Sequence, residues 1–217
     1  MLQSGLQLGV IVDAFYAENT YIAHRPGRAE CVVVDPGFDF DGVLAHLDKQ
    51  GLTPAAILNT HGHVDHIVGN QAIKKRWPEI PLVIGAGDAY KLTDPAGNLS
   101  RTGGVEIVSP PADRQLVEGE RIEYAGIELE VFETPGHSAG HIIFLWRGDS
   151  PWVVIGGDVL FQGGVGRTDF PDGNFDDLAT SIRTKIYTLS DETVVLPGHG
   201  APTTVGEEKR NNPFVKG

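Results

Sequence analysis

Three imidazoles and a carboxylate fall within six residues at His61-Gly62-His63-Val64-Asp65-His66, directly after the apolar run Ala55-Ala56-Ile57-Leu58. That run has the length and flanks of a buried strand. Extended chain returns alternate side chains to one face, so donors at 61, 63 and 65, with 66 beside them, crowd a single point. Packing histidines this way contributes nothing to an apolar core and costs desolvation. The spacing therefore predicts a metal site, and any fold for this chain must place the turn after this strand around it.

Five of the eight histidines obey one rule. His61, His63, His66, His137 and His199, joined by Asp65 and Asp158, each follow an apolar strand and lie in or beside a glycine-containing loop. The second cluster is Glu133-Thr134-Pro135-Gly136-His137-Ser138-Ala139-Gly140-His141, the third is Gly156-Gly157-Asp158 after the run Trp152 to Ile155, and the last is Pro197-Gly198-His199-Gly200 after Thr193 to Leu196. Glycine lets backbone approach a small site closely. Seven donors exceed the needs of one tetrahedral zinc and suit two divalent ions that share a carboxylate. Imidazole and carboxylate without thiolate admit zinc, iron or manganese.

The rest of the chain reads as a mixed fold. Leu6 to Phe15, Thr20 to Ala23 and the Cys31 run form a meander; Phe40 to Gln50 has helical apolar spacing closed by Gly51; strand 55–58 follows. The strand, helix, strand order over 31–60 is a crossover of the α/β kind, with the histidine turn at the carboxyl end of a strand. Helices are predicted over Ile67 to Trp77, Asp88 to Leu92 and Leu178 to Leu189, strands over 81–84 and 142–146, a hairpin over 121–131 with its turn at Ala125-Gly126, and a loop-rich insert over 93–115. Two halves that both deliver donors from strand ends predict two facing sheets with helices outside. A chain of 217 residues fits one domain, 1–217.

Seventeen Lys and Arg against twenty-nine Asp and Glu give a net charge of -12, which repels nucleic acid. Lys74-Lys75-Arg76 reads as a solvated helix face. No secretory signal opens at Met1, no window approaches the roughly 18 apolar residues of a membrane span, and the single Cys31 excludes an internal disulfide. The expected location is the cytosol.

Taken together, H-x-H-x-D-H at 61–66, G-H-S-x-G-H at 136–141, G-G-D at 156–158 and P-G-H-G at 197–200 resemble the metallo-β-lactamase superfamily over nearly the whole chain. The resemblance implies an αββα sandwich of two mixed β-sheets with outer helices. By residue-wise transfer one ion takes His61, His63 and His137, the other takes Asp65, His66 and His199, and Asp158 bridges them. Gly166-Arg167-Thr168-Asp169-Phe170-Pro171 and the ending Glu208 to Phe214 are similar to small glyoxalase II-like hydrolases. Longer glyoxalase II enzymes continue beyond the last histidine into a helical domain that helps hold glutathione, and secreted β-lactamases use a cysteine ligand; this chain matches neither.

The resemblance implies hydrolysis of a small-molecule acyl thioester such as a 2-hydroxyacyl-glutathione. Two cations bring the pKa of a shared water toward about 7, and Asp65 is the candidate to orient it and accept its proton. Arg167 is the candidate contact for a substrate carboxylate, with an ion pair to Asp169 as the competing role. Tyr16, Phe161 and Phe170 are candidates to line the pocket, Asp35 and His141 to support ligands, and Lys209 and Arg210 to face solvent. Persulfide dioxygenases also carry the G-R-T-D segment and use one iron, for which His61, His137 and Asp158 would serve here, but they end P-A-H-D-Y around the last histidine where this chain has P-G-H-G. A lactonase would share the donors without the subgroup segments, and a purely structural metal module has no use for so many.

Overall fold

The computed structural model describes residues 5–217. Its first sheet opens with a meander of β1 (Gln7–Val12), β2 (Asn19–His24) and β3 (Glu30–Val34), and continues in parallel through β4 (Thr53–Asn59), β5 (Leu82–Gly85) and β6 (Arg114–Leu116). The crossover between β3 and β4 is helix α1 (Phe40–Gln50), begun by the Asp39 side chain accepting from the Gly42 amide and ended by left-handed Gly51. Between β4 and β5 the chain forms α2 (Val64–Ile67) and α3 (Asn70–Arg76).

The second sheet is antiparallel along the hairpin β7 (Arg121–Tyr124) and β8 (Ile127–Glu133), then β9 (Ile142–Trp146) and β10 (Val153–Gly157). A small ribbon, β11 (Leu160–Phe161) with β12 (Gly164–Val165), leads to α4 (Phe175–Ser181) and a wide helical turn at Ile182–Ile186. Strand β13 (Val194–Pro197) then joins β10 in parallel, followed by β14 (Thr203–Thr204) and α5 (Val205–Asn211). The observed order is the predicted α/β sandwich, with helices on both outer faces.

The period of two along each strand explains the layering. In β3, Val32 and Val34 face the second sheet and pack with Leu129, Val131, Phe144 and Ile155, whereas Cys31 and Val33 face α1 and α3 through Val43, Leu47 and Ile73. Behind the second sheet, Ile143, Leu145 and Val154 pack on Leu178, Ile182 and Val205. Burial pushes the Cys31 thiol up to about 12, which leaves it inert at neutral pH.

Differences from the sequence reading have local causes. The first strand stops at Val12 because the Asp13 carboxylate accepts from the amides of Phe15, Tyr16 and Glu18 and folds the chain into a turn. The helix predicted over Ile67 to Trp77 is broken by Gly69, whose amide bonds to the Pro36 carbonyl. Asp88 to Leu92 is a 3₁₀ turn over Ala89–Thr93, and the last long helix starts three residues early because Asn174 caps it. Helix α5 carries Lys209 and Arg210 to Asp191, away from the histidines.

Two side chains of β2 fasten the sheets together at the donor-bearing end. Tyr21 donates to the Pro197 carbonyl at 2.7 Å, and the Asn19 amide group donates to the carbonyls of Pro197 and Gly200. Phe144 is fully buried between the sheets. Phe144→Ala should lower the unfolding free energy by about 3–5 kcal/mol, read from urea unfolding of metal-free protein with an unchanged m-value.

Candidate metal centre

All seven predicted donors meet at one end of the sandwich. The turn after β4 supplies His61, His63, Asp65 and His66; the loop after β8 supplies His137; the end of β10 supplies Asp158; and the end of β13 supplies His199. His61, His63 and His137 form one group of ligand atoms lying within 4.8 Å of one another, and Asp65, His66 and His199 form another. Asp158 lies between them: its Oδ1 is 3.5 Å from His66 Nε2, and its Oδ2 is 3.5 Å from His137 Nε2 and 3.4 Å from His199 Nε2. Two ligand atoms about 2.1 Å from a tetrahedral cation stand about 3.4 Å apart, the spacing seen here.

Hydrogen bonds at the far side of three rings turn their Nε2 atoms inward, where His137 Nε2 lies 2.9 Å from His63 Nδ1 and His199 Nε2 lies 3.3 Å from Asp65. His66 Nδ1 donates to Asp35, His137 Nδ1 to the Arg167 carbonyl, and His199 Nδ1 to the Tyr16 carbonyl. This is how a ligand imidazole is oriented. Nε2 of His61, His63 and His66 and Oδ1 of Asp158 are buried with no hydrogen-bond partner. Such orphaned polar atoms are costly unless a cation takes their lone pairs. The residues therefore fit two divalent ions.

Asp35 resolves into both of its proposed roles at once. It sits at φ 49° in the turn after β3, while its carboxylate accepts from the Thr60 amide and hydroxyl at 2.7 Å each and from His66 at 3.1 Å. His141 is not placed among the donor groups; its Nε2 accepts from the Asp158 amide, which fixes the strand end that carries Asp158. Gly198 is required because a Cβ there would fall 2.2 Å from Asp158 Oδ1 and 2.7 Å from the His66 ring.

Charge divides the site. Burial, reinforced by the neighbouring rings, pushes His61 and His63 well below the ordinary imidazole value, and burial likewise lowers His137. Burial also opposes charge on His66 and His199, but Asp65 and Asp158 outweigh it and raise them to about 9 and about 11. For Asp158 burial disfavours the ionised form, and His66, His199 and His137 overcome it, holding the carboxyl far below the usual range. One group thus offers neutral lone pairs, and the other stores protons that a cation must displace.

A cavity of about 560 Å³ opens over these donors, walled by Tyr16, Phe161, Phe170 and Leu99. A larger groove of about 730 Å³ runs beside β1 and β13 past His24 and His46, and it contains none of the donors. Arg167 reaches the rim of the smaller cavity, but both arms of its guanidinium bond to Asp169 at 2.7 Å, the pairing that competed with substrate binding in the sequence reading. Sequence reasoning missed Glu18, which is fully buried 3.9 Å from His66 Nδ1; burial first, then Asp35 and Asp65, raises its pKa well above the carboxylate range. Nothing local in a turn sequence marks such a residue.

Comparison with known proteins shows the family. Residues 14–199 match the family model of the metallo-beta-lactamase superfamily. The chain belongs to that superfamily. Among its relatives is the hydroxyacylglutathione hydrolase GloC of Haemophilus influenzae, 36% identical over 184 residues that cover 84% of this chain and 86% of GloC. The solved structure of the B3 metallo-beta-lactamase BLEG-1 superposes with a TM-score of 0.91 at 36% identity, covering 97% of this chain and 100% of that one. TTHA1623, solved in a di-iron-bound form, superposes at 0.83 with 34% identity, covering 95% and 100%. No helix among the described residues is long and apolar enough to cross a membrane.

Two measurements test the centre. Asp158→Ala should abolish activity and metal occupancy together, with metal per chain read by mass spectrometry and folding by circular dichroism; normal turnover would rule out the two-ion assignment. Because folded His66 and His199 bind protons up to about pH 9 and 11, cation affinity at their group should rise as pH increases from 7 to 9. The His61, His63 and His137 group, already neutral, should change far less. Calorimetric zinc titration in buffers of different ionisation enthalpy measures the protons released.

Proposed function

We propose that the chain hydrolyses acyl thioesters, of the 2-hydroxyacyl-glutathione type, at a two-cation centre formed by the seven donors. The observation that carries this reading is the position of Asp158, one oxygen toward His66 and the other toward His137 and His199. The relative described as a hydroxyacylglutathione hydrolase supports the substrate class. Two divalent cations bound there would supply Lewis acidity, activating water at neutral pH and favouring negative charge on an acyl oxygen.

The chain's own residues supply position and shielding. Asp65 lines the cavity with its Oδ2 3.3 Å from His199 Nε2. Burial works against its charge, but His66 and His199 keep its pKa lowered. An ionised carboxylate here accepts a hydrogen bond from the attacking water and aims it; as the C–O bond forms and the C–S bond breaks, the proton passes through this carboxylate to the leaving thiolate or to solvent. Phe170 packs edge-on to His63 and His137, with ring centroids 5.0 and 5.5 Å away, and keeps bulk water off that side. A thiol leaving group with a pKa of about 8.5 departs as thiolate without a strong acid.

Arg167 contacts a substrate carboxylate by exchanging Asp169 for it. The pair is exposed and screened by solvent, so the exchange is accessible.

The deciding experiment combines metal content with three assays on protein purified without added metal: a 2-hydroxyacyl-glutathione, oxygen uptake on glutathione persulfide, and a cephalosporin. The expected result is nearly two metals per chain, thioester turnover, no oxygen consumption and little β-lactam cleavage. Asp65→Asn should reduce kcat by at least about 100-fold. One iron per chain with rapid oxygen consumption would replace hydrolysis by persulfide oxidation.

A further inference from the structure

A second buried polar cluster lies behind the donors. Asp88 and Lys91, at the 3₁₀ turn Ala89–Thr93, are both fully buried, and Lys91 Nζ lies 3.1 Å from Asp88 Oδ1 and 2.6 Å from Asp172 Oδ2. Neither residue reaches the ligand groups. Their bonds go instead to the loops that carry the ligands. Asp88 Oδ2 accepts from the Gly62 amide at 2.9 Å and the Ser138 hydroxyl at 2.7 Å, and its Oδ1 accepts from the Gly140 amide at 2.9 Å. Asp172 accepts from the Ala139 amide at 3.1 Å. Gly62 is between His61 and His63, and Ser138 follows His137.

We propose that Asp88 and Lys91 are positioning residues that set the distance between the His61–His63 turn and the His137 loop, and through it the cation affinity of that group alone. The inference rests on reading His61, His63 and His137 as a metal subsite. Three arguments support it. A carboxylate has about four acceptor positions, and here all four are used on groups flanking those ligands and on Lys91. Two of the loops come from different sheets and share one backbone bond at their base, from the Ile142 amide to the Thr60 carbonyl at 2.9 Å; beyond it, at Gly62, Ser138 and Gly140, the shared carboxylate joins them. Burying an ion cluster is a poor way to add stability, since well-packed apolar side chains do as well, whereas a charge with four fixed partners holds two turns in register.

The approach is close. A Cβ on Gly62 would fall 2.5 Å from Lys91 Cβ, so the turn rests directly on the lysine stem. The other group has a support of its own in the bond from His66 to Asp35, although Asp35 also bonds to Thr60, whose hydroxyl lies 3.1 Å from His61 Nδ1. Loss of the Asp88 contacts should therefore affect one subsite and spare the other. Lys91 also ties in Asp172, two residues beyond Phe170, so the cavity wall over His63 and His137 is fixed to the same cluster.

The test measures zinc affinity by competition with a chromophoric chelator in two backgrounds. His199→Ala disables the second group, so the remaining tight site reports the first; His63→Ala does the reverse. Adding Asp88→Asn should weaken zinc by about 10- to 100-fold in the first background and by less than about 3-fold in the second. Equal weakening in both, or none in either, overturns the proposal. Where Asp88→Asn fails to fold by circular dichroism, Ser138→Ala removes one of the four bonds and should weaken the first site alone by about 3- to 10-fold; no selectivity there overturns it too. Wild-type protein that binds no zinc overturns the metal reading and the positioning role with it. Two tight equivalents in both wild type and Asp88→Asn overturn the positioning role while the metal reading stands.

Discussion

The carboxylate of Asp158, between the two donor groups, is the point on which the other elements converge. It is buried, it faces three imidazole nitrogens from three different loops at 3.4 to 3.5 Å, and one of its oxygens has no hydrogen-bond partner. Burial alone would disfavour its charge, and the facing rings of His66, His199 and His137 offset that cost. The surrounding structure keeps it from relaxing. Gly198 admits no side chain beside it, His141 holds its amide, and the carbonyls of Arg167 and Tyr16 hold the facing rings.

The donors were legible in sequence because each had to follow a strand and sit beside glycine, and both requirements leave marks in a few consecutive residues. The sandwich was legible for a related reason: period-two runs such as Cys31 to Val34 are apolar on both faces, as a strand covered by a sheet and a helix must be. What escaped depends on partners far along the chain. Asp88 looks like an ordinary residue before a short helix, and its four bonds go to residues near 62 and 138 as well as to Lys91. The break at Gly69 depends on the Pro36 carbonyl.

The two ligand groups are unlike in a way that shared residue types conceal. In one, burial lowers the pKa of three rings that sit beside a carboxylate-lysine cluster; in the other, neighbouring carboxylates raise the pKa of two rings, one of them bonded to Asp35. Cations of different hardness therefore meet different environments a few ångströms apart, since imidazole-rich sites suit zinc and iron while carboxylate favours harder ions. The aromatic cavity opens over both, so a substrate seated there lies against the boundary between them.

The fastening of Asn19 and Tyr21 to the Pro197 to Gly200 segment carries a consequence for biosynthesis. The histidine turn leaves the ribosome early, but Asp158 and His199 come from strands made near the end of the chain, and His199 is placed only once β13 has docked against β2. Contacts so distant in sequence form late. Four of the seven donors lie within six residues, but the full set comes together only when the sandwich closes, so a complete centre requires the folded chain.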